Sequence, residues 1–421
     1  MNQATQSGDS EIVLGKDYSP VKRWIAFLSI AIIYFFYCYN FMIGTFIKPT
    51  MIAAVAEGGF GFTLQQSEEI FAVMSFGTIP GTFLFGCISA RLGKKTTLIM
   101  VALLIALSTF IPMLAPTNVL LWKGARFVCG VVLGAVFGTA MPLVADMFPK
   151  KYRGKLAATL TALYSIAMIF GGQMYSLLGD ANWKVLMYTA IIPPVVGAVL
   201  ALFFVPDDSA MAKEQYQQGK QSGERINYLS MYKGKYLWIG LGTILLSGAN
   251  FTAYSAFSNN ATTYLVTGLG MTAATAGAIY SLQGTGQLVG YLVWGFLSDR
   301  LGRKFPAIGM ALSAVAVFIY TRLGGSDTTL FFVVSVLIGF MVGYSGPWGA
   351  YYTELFPDKF RSLSAGMSFN GGRIISTFAI PAIAGTAGGA LGMMPIFYIA
   401  IAVFAAGTVV WCVLPETLKR K

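Results

Sequence analysis

The sequence contains no histidine, few charged residues and only four cysteines. Asp, Glu, Lys and Arg make up 11% of its 421 residues, whereas 56% are hydrophobic and the mean hydropathy is +0.67. Soluble domains average about 25% charged residues, so a sizeable soluble catalytic domain is excluded. The cysteines stand singly in apolar stretches, and without histidine they form no ligand cluster for zinc, haem or an iron–sulfur centre. The composition predicts a membrane protein without metal or cofactor.

Long apolar segments account for most of the chain. A helix needs roughly 20 apolar residues to cross a bilayer, and the chain holds twelve segments of about this length. We therefore predict an all-α polytopic membrane protein with twelve transmembrane helices. The predicted helices cover residues 24–47, 69–90, 96–115, 119–146, 154–178, 184–205, 235–265, 272–297, 305–323, 328–354, 363–386 and 390–414.

The basic residues predict the orientation. Most of the 29 Lys and Arg residues fall in alternate loops, as the positive-inside rule describes for cytoplasmic loops. Both termini are therefore expected in the cytoplasm, in a protein of the plasma membrane, the inner membrane of a bacterium. The rule also accounts for the formal net charge of +12, so no nucleic-acid partner is expected. The predicted organisation is a cytoplasmic tail at 1–23, a six-helix bundle at 24–205, a cytoplasmic linker at 206–234, a second six-helix bundle at 235–414 and a cytoplasmic tail at 415–421.

The two halves of the chain repeat in register. The stretch GCISARLGKK from Gly86 recurs as GFLSDRLGRK from Gly295, an offset of 295 − 86 = 209. The stretch DMFPKKYRG from Asp146 recurs as ELFPDKFRS from Glu354, an offset of 354 − 146 = 208. Matches at nearly one offset indicate a duplicated six-helix unit in parallel orientation. The seam between the two halves, near mid-membrane, is then the expected place for a site.

These motifs resemble those of the major facilitator superfamily. The pattern GxxxDRxGRK follows predicted helix eight, with a degenerate copy after helix two, and PKKYRG and PDKFRS follow helices four and ten. Helix four carries Arg126 followed by Gly130, Gly134 and Gly138, and the ending PETLKRK resembles that of the sugar-porter and metabolite-symporter branches. The likeness covers essentially the whole chain. It implies alternating access of a solute between two rocking bundles, in a fold that normally works as a monomer.

The resemblance assigns a gating role to the loop motifs. In that family the glycines allow a tight cytoplasmic turn, and the Asp and basic residues link neighbouring helix ends and lock the cytoplasmic gate. Ala90 stands where the family pattern has Asp, so the resting balance is expected to lean inward-facing. The alternative is that these are solvated helix-end charges. The residues expected in the gate are Gly86, Arg91, Asp146, Arg153, Gly295, Asp299, Arg300, Arg303, Glu354 and Arg361.

One cation is predicted deep in the membrane, where ionisable groups usually mark function. Arg373 lies twelve residues beyond Arg361, a rise of about 18 Å along a helix, or halfway across. Asn370 lies one turn back on the same face. No acid is predicted at that depth, and a guanidinium favours an anion as its partner. The alternative is an arginine whose partners are backbone carbonyls at a helix break.

Two other cations are candidates, Lys48 late in predicted helix one and Arg126 early in helix four, and further polar residues are predicted at the depth of the cavity. Arg126 belongs either to the substrate site or to the structure of helix four, and Lys48 is expected at the outer mouth, as an electrostatic funnel at best. Each remaining residue is equally consistent with cavity lining and with a helix contact. Together with Arg373, Asn370 and Arg126, the predicted substrate-binding residues are Asn40, Asn250, Tyr254, Gln283, Gln287 and Trp348.

Transport of a small organic anion, in particular a carboxylate, is the function that this pattern favours. Proton-driven relatives carry an Asp in helix one where this chain has Asn40, so we expect uniport or anion exchange. A carboxylate carried in its protonated form, or a proton taken up by Asp146 or Glu354, stays open. So do a facilitator or proton symporter of a neutral polar solute such as a sugar, a drug exporter, and a receptor with the transporter fold. An enzyme is not expected, because acid–base catalysis needs His or carboxylates in the site.

Overall fold

The structure is a computed structural model that describes residues 14–222, 234–356, 361–387 and 392–418. These residues form fourteen α-helices and no strand. The helices are α1 (Pro20–Ile52), α2 (Leu64–Leu92), α3 (Lys94–Phe110), α4 (Val119–Met147), α5 (Lys150–Leu178), α6 (Trp183–Phe204), α7 (Ser209–Ser222), α8 (Lys235–Thr263), α9 (Ala273–Leu301), α10 (Ala307–Tyr320), α11 (Thr328–Val342), α12 (Trp348–Glu354), α13 (Arg361–Ala387) and α14 (Met394–Val413).

The predicted spans all contain helices. Predicted helix ten corresponds to α11 and α12 together, and α7 is a polar helix inside the predicted linker. Eight helices of the described ranges are long and apolar enough to cross a membrane. The other predicted spans are shorter or carry more polar residues, as α10 and α8 illustrate.

Predicted helix ten is interrupted where the sequence reads GYSGP. A 3-10 turn at Gly343–Ser345 follows α11, and Pro347 precedes α12. Proline has no backbone N–H and its ring clashes with the carbonyl four residues earlier, which weakens a helix at this point. Unlike Pro142, which lies inside α4, Pro347 follows two glycines, Gly343 and Gly346, which weaken the helix further. The turn leaves Tyr344 and Trp348 buried, with ring centroids 5.8 Å apart.

The described chain divides into two compact units. The first contains the described residues within 1–43, 73–167 and 184–225, and the second those within 44–72, 168–183 and 226–421. In the first unit α3 and α2 pack on α4, and in the second α8 packs on α13 and α14 while α9 packs on α11. The second unit thus includes the end of α1, the beginning of α2 and the end of α5. The bundles at 24–205 and 235–414 stay predictions.

A close helix crossing joins α2 to α4 in the first unit. Gly81 lies against the backbone of Val131, and Gly130 lies against that of Met74, so tightly that any added Cβ atom would overlap a carbonyl oxygen. Small residues are the means by which membrane helices approach this closely, because apolar surface gains little from association in lipid.

The same crossing occurs between α9 and α11 in the second unit. Gly290 lies against the backbone of Phe340, and Gly339 lies against that of Gln283. The differences 290 − 81 and 339 − 130 both equal 209, the offset of the loop motif. The repeat read from the loops therefore extends to the backbone contacts inside each unit.

Candidate functional site

Arg373 lies near the middle of α13, beside two aromatic rings that contact each other. Its guanidinium carbon is 5.0 Å from the ring centroid of Phe251 and 5.7 Å from that of Phe369. The two rings meet edge to face with centroids 4.9 Å apart. The side chain is half-buried. Ring faces stabilise a cation, so the two rings help to hold the guanidinium in position.

The glycines beside Arg373 allow α13 to approach α8. A Cβ atom on Gly372 would lie 2.5 Å from the backbone of Ser247 and Gly248, and one on Gly371 would lie 2.9 Å from the side chain of Ile244. The close approach brings Phe251 of α8 to the guanidinium. Asn370, one turn before Arg373, is half-buried.

The predicted polar residues of α8 contact different helices. The carboxamide oxygen of Asn250 accepts a hydrogen bond of 2.7 Å from the Tyr344 hydroxyl. The Tyr254 hydroxyl donates to the sulfur of Met168 at 3.3 Å. Trp348 is 1% exposed and packs against Tyr344 and the Trp411 ring. Asn250, Tyr344 and Trp348 therefore form one cluster, next to the Phe251 that contacts Arg373.

The two glutamines of α9 are buried. Gln283 donates a hydrogen bond of 2.7 Å to the Ser258 hydroxyl, and Gln287 donates one of 2.8 Å to the Tyr291 hydroxyl. The carboxamide oxygen of Gln287 is buried without a hydrogen-bond partner among the described residues. In this state Gln283 joins α9 to α8, whereas Gln287 retains an acceptor that a ligand or water could use.

In the first unit Asn40 joins three helices. Its amide nitrogen donates to the carbonyl oxygens of Phe36 at 2.9 Å and Ala190 at 3.3 Å, and its oxygen accepts from the Thr109 hydroxyl at 2.8 Å. The Ala190 carbonyl lacks its usual helical partner because residue 194 is a proline without an N–H. Asn40 is fully buried, and this geometry favours a helix contact.

Arg126 is also fully buried in the first unit. Its guanidinium carbon lies 5.7 Å from the ring centroid of Trp122, which precedes it by one turn of α4. The Trp122 indole nitrogen donates to the Pro116 carbonyl at 2.8 Å. The arginine is thus held against a ring that is itself anchored at the start of α4.

The loop motif of the first half forms a cluster at the end of α2. The Lys94 ammonium pairs with Asp146 at 2.7 Å, and the Asp208 carboxylate accepts from the backbone N–H of Lys94 at 2.7 Å and of Lys95 at 3.1 Å. Ala90 is exposed one turn before Lys94. Two further predicted residues make other contacts. Arg91 donates to the Tyr216 hydroxyl at 3.2 Å, and Arg153 donates to the Phe148 carbonyl at 3.0 Å.

The second half repeats this cluster with an additional acid. The Arg303 guanidinium bonds Asp299 and also Glu354, the latter at 2.8 and 3.0 Å. The Glu416 carboxylate accepts from the backbone N–H groups of Arg303 at 2.9 Å and Lys304 at 3.0 Å, as Asp208 does in the first half. The hydrogen bonds to Glu354 raise the pKa of Arg303 above its usual value.

Two other residues of the second half, Arg300 and Arg361, are predicted in the gate. The Arg300 guanidinium lies 4.1 Å from the ring centroid of Phe296. The side chain of Arg361 lies outside the described part.

The tight turns of both motifs are made by Gly93 and Gly302. These residues have φ angles of 90° and 124°, which side chains rarely tolerate. A Cβ atom on either would approach the carboxylate of Asp208 or Glu416 within 2.8 Å. Gly86 and Gly295, expected in the turns, instead lie inside α2 and α9 with nothing within 4 Å of an added Cβ.

The Major Facilitator Superfamily model matches residues 30–282 and 244–421. The chain belongs to this family. The superfamily comprises transporters rather than enzymes, and its twelve-helix fold agrees with the helices described above. The predicted fold class is confirmed, and this member of the superfamily is an integral membrane protein.

Curated relatives and solved structures support this placement. The cis,cis-muconate transport protein of Acinetobacter baylyi is 31% identical over 290 residues, which cover 64% of this chain and 66% of the relative. The gentisate transporter of Corynebacterium glutamicum is 25% identical over 74% of this chain and 70% of its own. A crystal structure of a D-xylose–proton symporter superposes with a TM-score of 0.72 at 18% identity, covering 94% of this chain and 98% of the symporter. The last likeness shows the fold alone.

Two features of this superfamily member are not predicted from the sequence. Lys48, expected at an outer mouth, is fully buried against Glu68. An opposite charge 20 residues later, across the turn between α1 and α2, is the signal that could have indicated the pair. The matching roles of Asp208 and Glu416 have a signal in VPDD at 205–208 and LPET at 414–417, although the offset of 209 aligns Glu416 with Asp207, one residue before Asp208.

Proposed function

We propose that this protein transports a small organic anion, a carboxylate, by alternating access. The observation that carries the proposal is Arg373, a half-buried guanidinium near the centre of α13 that lies over the rings of Phe251 and Phe369. Arginine presents a planar fork that matches both oxygens of a carboxylate. The flanking rings offer an apolar surface to a planar or conjugated carbon skeleton.

The relatives support the same substrate class. The names of the muconate and gentisate transporters denote organic acids, and both proteins match most of this chain. The proposed substrate is therefore a mono- or dicarboxylate with an unsaturated or aromatic body. Further proposed contacts are Asn370 and Gln287, which supply polar atoms in the second unit, and Arg126, Asn40, Asn250, Tyr254, Gln283 and Trp348.

The proposed cycle is uniport or exchange in a monomer. Both termini are proposed to face the cytoplasm of a bacterial inner membrane, on the side of the clusters around Lys94 and Arg303. The amide of Asn40 cannot take up a proton, so proton uptake there cannot drive the cycle. We propose instead that the site reorients across the membrane more easily when Arg373 has bound the anion than when Arg373 is empty. Opening and closing at the loop motifs then expose Arg373 to either side in turn.

Uptake into proteoliposomes tests the proposal. Arg373→Ala should abolish uptake of a labelled carboxylate, and Arg373→Lys should bind it more weakly because the ammonium lacks the planar fork. The matched control is Arg322→Ala, since Arg322 also lies over a phenylalanine ring, 4.7 Å from Phe318, but is exposed at the end of α10. Near-normal uptake by Arg373→Ala would overturn the assignment.

A competition panel identifies the substrate class. Mono- and dicarboxylates, aromatic acids, sugar acids and neutral sugars should be offered against the labelled carboxylate. We expect the acids with unsaturated bodies to compete and neutral sugars to have no effect. Competition by sugars alone would replace the anion proposal with transport of a neutral solute.

The Arg126→Ala variant distinguishes a substrate with one carboxylate from a substrate with two. Arg126 is fully buried against Trp122 and is proposed as a weaker substrate contact than Arg373. Arg126→Ala should therefore raise the half-saturating concentration more than it lowers the maximum rate. A loss equal to that of Arg373→Ala would indicate a pair of cations that bind a dianion.

A further inference from the structure

A buried ion pair joins the end of α1 to the beginning of α2. The Lys48 ammonium lies 2.6 Å from a carboxylate oxygen of Glu68 and 3.0 Å from the carboxamide oxygen of Asn260 in α8. Lys48 and Asn260 are 0% exposed and Glu68 is 2% exposed. A charge taken out of water is costly unless it is paired and hydrogen-bonded. All three residues belong to the second compact unit.

The sequence places the pair in register through a small residue on α1 and a ring on α2. Gly44 and Lys48 lie one turn apart on α1, and Glu68 and Phe71 lie one turn apart on α2. A Cβ atom on Gly44 would overlap the Phe71 ring, so only glycine allows this approach. The Phe71 ring centroid is 5.9 Å from the Lys48 ammonium. The two helices therefore meet with Glu68 opposite Lys48.

Asn260 is oriented by its own helix. Its amide nitrogen donates to the carbonyl oxygens of Ala256 at 3.1 Å and Ser255 at 3.5 Å, which turns its oxygen toward Lys48. Close by, the Thr262 hydroxyl donates to the Thr45 carbonyl at 2.7 Å. The end of α8 is thus tied to the end of α1 by one charged and one neutral hydrogen bond.

The partners of Lys48 come from different halves of the repeat. Glu68 belongs to the first half of the sequence, as Lys48 does, whereas Asn260 belongs to the second. Separation of the halves at this end would leave the ion pair intact and remove the Asn260 oxygen, for which water would substitute. With the termini in the cytoplasm, this is the outer end of the transport path.

We propose that Lys48, Glu68 and Asn260 form a latch that holds the outer end closed. This inference rests on the alternating access of the proposed function, but not on the identity of the substrate. The ion pair with Glu68 holds the Lys48 ammonium away from water. The Asn260 oxygen stabilises this ammonium only while α8 lies against α1. The charge of Lys48 therefore favours the closed outer end, because opening removes the Asn260 oxygen and water must reach Lys48 in its place.

Spin-label distances at the outer end measure the latch without substrate. Labels on Ala56→Cys and Thr267→Cys, both exposed positions, report separation of the α1–α2 turn from the end of α8. The exposed Cys87 and Cys412 are replaced by serine, whereas Cys38 and Cys129 are buried. The measurement is made in lipid nanodiscs on the full chain.

Removal of the Asn260 oxygen should open the outer end. A hydrogen bond to a charged group is lost in Asn260→Leu, so the ratio of open to closed distances should rise about tenfold. Thr262→Val removes a neutral bond between the same two helices and is the matched comparison, with a smaller rise expected. An unchanged ratio in Asn260→Leu, or an equal rise in Thr262→Val, would overturn the charged latch.

Separate and joint removal of the charges provides a second test. Lys48→Met and Glu68→Leu each leave a lone buried charge, so each should raise the open fraction more than tenfold. The double variant should close again to within about tenfold of the wild type, because only the Asn260 oxygen then lacks its donor. A double variant no more closed than either single variant would overturn the proposal. Failed carboxylate uptake with these distance shifts intact would count against the proposed function alone.

Discussion

Asn40 supplies a donor that the backbone of α6 lacks. The Pro194 ring removes the N–H that would bond the Ala190 carbonyl, and the Asn40 amide donates to that carbonyl at 3.3 Å. Within a bilayer an unsatisfied carbonyl cannot turn to water. The polar residue in helix one is therefore explained by a proline in helix six, which no local pattern around Asn40 reveals.

The free energy of unfolding tests whether Asn40 supplies the donor that Pro194 removes. Asn40→Leu should lower the free energy of unfolding by roughly 2 kcal/mol, because buried polar groups on α6 and α3 lose their partners. In a Pro194→Ala background the N–H at 194 bonds the Ala190 carbonyl again, so the cost should fall by about 1 kcal/mol. Denaturation of the four proteins in mild detergent completes the double-mutant cycle. Equal costs in both backgrounds would contradict the role assigned to the proline.

At the scale of the elements, the loop motifs differ between the halves by one acid and one base. Arg303 bonds both Asp299 and Glu354, whereas Lys94 bonds Asp146 and has Ala90 one turn before it. A lysine cannot hold two carboxylates in fixed geometry as an arginine fork can. The first cluster is therefore the weaker of the two.

Restoring the missing acid should strengthen the first cluster in two steps. Ala90→Asp alone adds an exposed pair one turn apart on a helix end, worth less than about 1 kcal/mol. Ala90→Asp with Lys94→Arg recreates the second-half arrangement. If the loop motifs face the cytoplasm as proposed, this variant should stabilise the closed state of that side by about 1.5 to 3 kcal/mol. Distances between labels on the loops that follow α2 and α9 report the shift from inward-facing states. Wild-type distances in the double variant would remove the proposed link between Ala90 and the inward bias.

The carboxylate of Glu416 makes the second cluster dependent on pH. Partial burial raises the pKa of this carboxyl, but backbone hydrogen bonds from Leu418, Lys304, Arg303 and Thr417 outweigh burial and hold the pKa below its usual value. A pKa lowered by folding adds stability above the unfolded-state pKa, and this stability is lost as the pH falls through the folded-state pKa.

Glu416→Gln tests this dependence. The melting temperature of the wild type in detergent should exceed that of the variant most at pH 7, and the gap should narrow as the pH falls below about 4.5. The variant removes the titrating group while it retains one acceptor oxygen. A gap that is constant over this range would show that the charge of Glu416 contributes nothing.

The elements differ in how far the sequence predicts them. Eight of the twelve predicted spans contain helices of the described ranges that are long and apolar enough to cross a membrane, and the repeat follows from loops that keep one offset. The interruption of helix ten between Val342 and Trp348 is signalled by Pro347 but not by hydropathy. The burial of Lys48 and Glu68 depends on the approach of two helices at Gly44 and Phe71, which is a tertiary contact that residue type alone does not encode.

The whole molecule should carry substrate without a pH gradient. In liposomes loaded with internal substrate, labelled external substrate should enter at a rate that collapse of a pH gradient barely changes, because the amide of Asn40 does not titrate. Asn40→Asp is the informative variant, since it replaces the amide with a carboxyl that can take up a proton, and its uptake should depend on the pH gradient more than that of the wild type. Strict dependence of the wild type on an inward proton gradient, with protons entering in step with substrate, would refute uniport and exchange.

The glycine crossings have a consequence for the order of assembly. Helices of a membrane protein enter the bilayer first and pack afterwards. The backbone of α2 crosses that of α4 at Gly81 and Gly130, and the backbone of α9 crosses that of α11 at Gly290 and Gly339, so neither crossing can form until the fourth span of its half has been synthesised. This part of the packing of each half therefore forms at a late moment of its translation. An alanine at Gly81 or Gly290 should delay that moment and leave the earlier insertion of single helices untouched.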